Sequence, residues 1–143
     1  FSQPSKPLKR AQLAQMAVEC AKKYIPELKL KILEGRSPAE VPIWINASDV
    51  ILITSITEGW PNIVKEGLAC NIPFVSTDIS DLHMIAEVEP SCTVSSATPT
   101  ALAAGILKAI DQGRPNSLRQ HTAEFDLPII ADRHRRLYEE MIN

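Results

Sequence analysis

An α/β domain is the fold class this sequence predicts: a Rossmann-like, doubly wound parallel sheet with helices on both faces. Three observations predict it. Helix-period segments alternate with short apolar strands along the chain. The run Val50–Thr54 is β-branched and apolar on both faces, as a covered central strand must be. The strand candidates are separated by helix-length connections, the spacing of parallel strands joined by crossovers.

The elements follow in order. Leu8–Tyr24 places Leu13, Ala17, Cys20 and Tyr24 on one face, with Ala14, Val18 and Ala21 beside it; this is helical spacing, stopped by Pro26. Leu28, Leu30 and Ile32 alternate with Lys29 and Lys31, a strand period, and Gly35 follows as a turn. Val41–Ser48 reads as a short helix, and Val50–Thr54 as the central strand. Pro61–Cys70 reads as a helix, while Pro73–Ser76 and Cys92–Ser95 read as strands. Thr98 caps a helix with Pro99 at its first position, running to Gln112 and ending at Gly113. Leu127–Ile142 reads as a last helix carrying Arg133, Arg135 and Arg136.

The 143 residues fit one domain, and an apolar fraction of 45% supports a core. A formal net charge of −2 gives no support for nucleic-acid binding or a polybasic anchor. No apolar run approaches the ~20 residues of a membrane span. Cys20, Cys70 and Cys92 are odd in number and widely spaced, which argues against a disulfide framework. Without C-x-x-C or a Cys/His cluster, no metal site is expected; buried reduced thiols are the plain reading. The chain opens at Phe1 with no visible signal peptide, and reads as a piece of a longer, cytoplasmic protein.

Parallel α/β sheets bind ligands beyond the carboxyl ends of their strands, here the turns after Phe1, Leu33, Thr54 and Ser76. The turn after Thr54 is the most informative. Gly59 allows a bend without a Cβ clash. Pro61 suits the first helical position, which leaves the amides of Asn62 and Ile63 free at a helix N-terminus, a seat for a diphosphate. Ile63, Val64, Gly67 and Leu68 share the apolar face, and Gly67 permits close helix–sheet packing. Glu66 stands at the edge of that face, and Asn71 tolerates the left-handed conformation that ends a helix. Glu58 and Glu66 flank the amides; carboxylates accept from paired sugar hydroxyls but repel phosphate. Taken on spacing alone, the plainer reading carries more weight: Glu58 a solvated loop acid and Glu66 a helix first-turn acid.

Glu58-Gly59-Trp60-Pro61-Asn62 through Glu66, then Gly67-Leu68-Ala69-Cys70-Asn71 and the strand Pro73-Phe74-Val75-Ser76-Thr77, resembles a known pattern. It is similar to the E-x7-E motif in the C-terminal domain of retaining GT-B glycosyltransferases, the group 1 or family 4 type. Ala47-Ser48-Asp49-Val50 is similar to the strand entrance of that family. The match covers roughly residues 43–81 well and the rest loosely.

The resemblance implies that residues 1–143 are a nucleotide-sugar-binding C-terminal domain, one half of a GT-B fold, without its N-terminal acceptor domain. It implies Glu58 at the donor-sugar hydroxyls, Glu66 at the ribose hydroxyls, and the Gly59, Trp60, Pro61, Asn62, Ile63 and Val64 segment facing sugar and diphosphate. Lys9 matches the lysine that neutralises the departing diphosphate. The donor is a nucleoside-diphosphate sugar, with UDP or GDP expected as its nucleotide and no cofactor or metal. The acceptor is a saccharide or a lipid-linked one, as in polysaccharide biosynthesis, held mostly by the other domain. The isolated domain should turn over poorly. The sequence departs from the family at Ser2–Ser5, where an arginine is usual and only Lys6 stands in. It departs again at Asn71 and Ser80-Asp81, where glycines are usual, and in the short Leu33–Val41 stretch. These departures bear on the nucleobase contacts.

Two alternatives stand: a GT-B-type nucleotide-sugar epimerase and a non-catalytic α/β binding module. His83, His121 and His134 read as solvated or cap-like, with His83 nearest the expected crevice. Trp44 reads as core, and Trp60 as either pocket wall or packing. The Arg133–Arg136 run reads as a solvated helix face, with peripheral membrane contact of the full-length enzyme a weaker expectation.

Overall fold

The computed structural model describes residues 7–142. The apolar runs become strands β1 (Ile51–Ile53), β2 (Phe74–Thr77) and β3 (Thr93–Ser95). They pair in parallel in the order β1-β2-β3, with Ile51 opposite Phe74 and Val75 opposite Thr93. The helices are α1 (Ala11–Ala21), α2 (Val41–Asn46), α3 (Asn62–Ala69), α4 (Leu82–Val88), α5 (Pro99–Gln112) and α6 (Leu127–Ile142). Two 3-10 segments, Pro7–Lys9 and Leu118–Phe125, complete the order.

Strand periodicity divides the core into two layers. Ile51, Ile53 and Phe74 meet Val64 and Leu68 of α3, Leu82 and Ile85 of α4, and Ile45 of α2. Leu52 and Val75 point the other way, onto Ala14, Ala17 and Val18 of α1 and Leu102 and Ile106 of α5. Helices therefore cover both faces, the Rossmann-like arrangement the sequence predicts. Each fully buried Val or Leu contributes roughly 1.5–3 kcal/mol.

Two glycines set the helix–sheet spacing. A Cβ on Gly67 would lie 2.8 Å from Ile51 Cγ1, and one on Gly105 would lie 2.8 Å from Val75 Cγ1. Overpacking of this kind costs about 1–3 kcal/mol. Gly67→Ala should therefore lower the urea midpoint of unfolding, and an unchanged midpoint would show that α3 does not sit this close to β1.

Several expectations are corrected. Leu28–Ile32 forms no strand among the described residues; Leu28 and Leu30 nevertheless pack onto the α1/α5 core. The first helix is shorter than Leu8–Tyr24 because Arg10 adopts a left-handed conformation (φ 49°) and breaks the periodicity before Ala11. It ends at Ala21, well before Pro26. Pro61 is the N-cap, not the first helical residue, with ψ of 122°. Leu82–Val88 and Leu118–Phe125 were not anticipated. Ile45, not Trp44, is the core residue of α2; Trp44 lies under the Arg36 guanidinium, 4.7 Å from its ring centre. Asn71 (φ 56°) and Gly113 (φ 71°) end their helices as expected. Of the thiols, only Cys92 is buried, and burial pushes its pKa up to about 11.

Candidate functional site

The site begins where β1 ends. Thr54 and Ser55 are buried at its carboxyl end. The Thr54 hydroxyl donates to the carbonyl of Lys9 at 2.6 Å. The Arg10 guanidinium donates to the carbonyls of Thr54 (2.5 Å) and Ser55 (2.8 Å). The amide of Ile56 donates to the Leu8 carbonyl at 2.9 Å, and the Thr77 hydroxyl donates to the Ser55 carbonyl at 2.7 Å. The Pro7–Arg10 hook is thus clamped onto the Thr54–Ile56 segment that follows β1, and the end of β2 holds that segment through Thr77. A left-handed non-glycine residue costs roughly 1–2 kcal/mol, and the two charge-assisted bonds of Arg10 offset it.

The clamp presents Lys9. Its ammonium donates to Glu58 Oε1 at 2.6 Å, with both side chains about one-sixth exposed (17% and 17%). The Ser55 hydroxyl donates to the same Oε1 at 2.5 Å. Glu58 Oε2 has no partner among the described residues and remains open as an acceptor. Chain-distant Lys9 and Glu58 are therefore one unit, held by β1 and the hook.

Beyond Glu58 the chain turns into α3. Gly59 is exposed, and a Cβ there would meet nothing within 4 Å, so the bend does not require glycine. Trp60 packs: its ring lies 5.0 Å from that of Phe125, tilted by 47°, and it contacts the α3 core layer. Pro61 is buried and supplies no side-chain cap. The amides of Val64 and Lys65 donate to the Pro61 carbonyl, whereas those of Asn62 and Ile63 meet no acceptor among the described residues. Two open amides at the positive end of a helix make an anion seat in chemical terms. Val64 is fully buried with its amide engaged, so it belongs to the core rather than to a ligand surface.

Glu66 stands on the second turn of α3. It is exposed, and among the described residues its carboxylate makes no ion pair or hydrogen bond. The surrounding protein still withholds part of its solvation and raises its pKa above the usual 4.5. Among the described residues no direct contact joins Glu66 to Lys9 or Glu58; Glu58 precedes α3 in the chain and Glu66 lies within it.

Arg10, Thr54, Ser55 and Thr77 were missed by the sequence reading. The only local signal was two adjacent cations at positions 9 and 10. The turn after Phe1 and the substitute Lys6 lie outside the described residues. Two clefts lie elsewhere. One, of about 760 Å³, runs beside β3 between Asp78, His83 and Lys108. The other, of about 600 Å³, lies along β1. His121 is not isolated: its Nε2 lies 2.8 Å from Oε1 of buried Glu89. The α6 arginines pair with Glu124 and Asp132 on the exposed surface, as a solvated face does. Among the described residues no helix is long and apolar enough to cross a membrane.

Comparison with the curated proteins finds no match. The family model of the glycosyl transferases group 1 matches residues 8–112, from the hook through the end of α5. That span contains Lys9, Glu58, the α3 entrance and Glu66, on a Rossmann-like sheet of the kind that forms half of a GT-B enzyme. The chain belongs to the glycosyl transferases group 1 family.

Proposed function

We propose that this domain binds a nucleoside-diphosphate sugar at the carboxyl end of β1 and serves its transfer, with retention and without a metal, to a saccharide or lipid-linked acceptor. The observation that supports it is the conjunction of a half-buried Lys9–Glu58 pair with two open amides at the α3 entrance and an unpartnered Glu66. The Asn62 and Ile63 amides receive the diphosphate. Glu66 accepts from the ribose hydroxyls, and Glu58 Oε2 from a hydroxyl of the sugar. As the bond between the anomeric carbon and the phosphate oxygen breaks, charge grows on the departing diphosphate. The Lys9 ammonium turns toward that charge from Glu58, and stabilises it in a low-dielectric setting. The residues 1–143 then form the donor-binding C-terminal half, with the acceptor held by a preceding α/β half.

The raised pKa of Glu66 gives a test with a definite sign. Raising a carboxyl pKa means that ionisation costs more in the folded chain than in the unfolded one. Its contribution to stability is present below 4.5 and lost as the pH rises through the raised value. Ribose recognition needs the ionised form, so nucleoside-diphosphate affinity should increase over the same window. Amide shifts of Asn62 and Ile63 on titration with UDP or GDP, repeated across pH, read both effects. Glu66→Gln should remove this component while leaving the titration of the diphosphate itself. Identical pH profiles for the two proteins, or unmoved amides, would count against the assignment. A non-catalytic module predicts no shift with any nucleotide.

A further inference from the structure

The α3 entrance has a brace that comes from far along the chain. The segment Leu118–Phe125 lies beyond residues 8–112, outside the span that the family model matches. Its first half is tied down. Leu118 is fully buried in the layer that holds Val64 and Leu68 of α3. The Arg119 amide donates to Asn71 Oδ1 at 2.9 Å, just past the end of α3. Glu89, buried at the end of α4, accepts from the Ser117 hydroxyl at 2.8 Å and lies 2.8 Å from His121 Nε2. A buried carboxylate requires such partners, and these two belong to one stretch of chain.

Held at its start, the segment delivers its last residue to the α3 entrance. The Phe125 ring lies 5.0 Å from the Trp60 ring. The Lys65 ammonium stands over the same Phe125 ring, 5.0 Å from its centre, and lies 3.4 Å from Asn62 Oδ1. Trp60 precedes the open amides of Asn62 and Ile63 in the chain, and Lys65 follows them. Phe125 therefore contacts the chain on both sides of the anion seat.

The bend depends on support of this kind. Its N-cap, Pro61, supplies no side-chain hydrogen bond, so no local cap fixes the first turn. Gly59 has open space around it and leaves the bend loose on its Glu58 side. Lys65 is moreover a cation near the positive end of a helix, where the dipole opposes it. The Phe125 ring face and the Asn62 oxygen hold it there. A bound diphosphate turns that unfavourable placement into a favourable one.

We propose that Phe125 is a positioning residue for the donor: through Trp60 and Lys65 it fixes the bend at which the Asn62 and Ile63 amides receive the diphosphate. It acts through these two neighbours and not by contact with the ligand. This inference rests on the donor-site reading.

Calorimetric titration of residues 1–143 with UDP, GDP and pyrophosphate compares the parent with Phe125→Ala and Phe125→Tyr. Phe125→Ala should raise the dissociation constants for pyrophosphate and nucleotide by about tenfold, the worth of one hydrogen bond to a charged group. Phe125→Tyr keeps the ring and should restore the parent values. A merely structural role lowers the folded fraction, and with it the stoichiometry, but leaves the constant of the folded chain unchanged. Trp44 and Trp60 are the two tryptophans, so Trp44→Phe leaves Trp60 as the reporter of its own contact. In that background Phe125→Ala should shift the emission to the red and increase quenching by acrylamide. Parent-like constants in Phe125→Ala, or unchanged Trp60 emission, would overturn this inference while nucleotide binding by the parent upholds the donor site. A loss seen with UDP or GDP but not with pyrophosphate would also overturn it. No binding by the parent itself would reject the donor-site reading, and this inference with it.

Discussion

Replacing Lys9 by methionine should cut kcat of the full-length transferase by about 10²–10³-fold, the usual loss when one preorganised donor to a developing oxyanion is removed. The structure fixes the backbone on which this side chain stands. Its carbonyl is tied by the Thr54 hydroxyl, and its neighbour Arg10 is bolted to the end of β1. The ammonium contacts Glu58 and the Lys9 side chain is only about 17% exposed, so the charge acts where water screens it less than at the open surface. Methionine keeps the stem and removes the charge. The donor KM should change much less than kcat, because the charge on the leaving diphosphate is largest in the transition state. The Lys9→Met substitution also leaves Glu58 with Ser55 alone, so circular dichroism and the unfolding midpoint must accompany the kinetics. A kcat within twofold of the parent, with the fold intact, would remove Lys9 from the mechanism.

Glu66→Ala should weaken nucleoside-diphosphate binding by about 10–100-fold, the value of one or two hydrogen bonds to a charged acceptor. This substitution separates recognition from stability more cleanly than any other at the site. Glu66 is exposed and has no partner within the described protein, so its removal breaks no internal contact. The unfolding midpoint should stay within the range of a surface substitution, about 0.5 kcal/mol. The loss should also depend on the ribose: a ligand without its hydroxyls, such as pyrophosphate, should bind parent and variant alike. Equal losses for pyrophosphate and for the nucleotide would place Glu66 at the phosphates, which its charge opposes, and would reject the assignment.

The parts of this fold that were legible in the sequence are those governed by local chemistry. Thr98, Pro99 and Gly113 bound α5 where their cap preferences dictate. Asn71 ends α3 in the left-handed region, and Gly67 sits against Ile51 as its place on the apolar face implies. Leu28–Ile32 failed as a strand for a non-local reason, since period two describes a side-chain pattern and a strand needs a neighbour. Trp60 took a packing role because Phe125, more than sixty residues later, comes to rest beside it. Glu58 and Lys9 were each singled out through a resemblance, but their contact was not legible in the sequence. It depends on Arg10, Thr54 and Ser55, whose role is to join segments more than forty residues apart. The α4 helix was missed because its seven residues carry neither a proline nor a side-chain cap at the start.

Above all, the α3 entrance, with Glu58 before it and Glu66 on its second turn, is expected to receive a nucleoside diphosphate. Calorimetric titration of the chain with UDP, GDP and ADP tests it directly. Saturable heat is expected with at least one of the three, lost or strongly reduced in Glu66→Ala. No binding of any of the three by the well-folded chain, or binding that Glu66→Ala leaves unchanged, would contradict it.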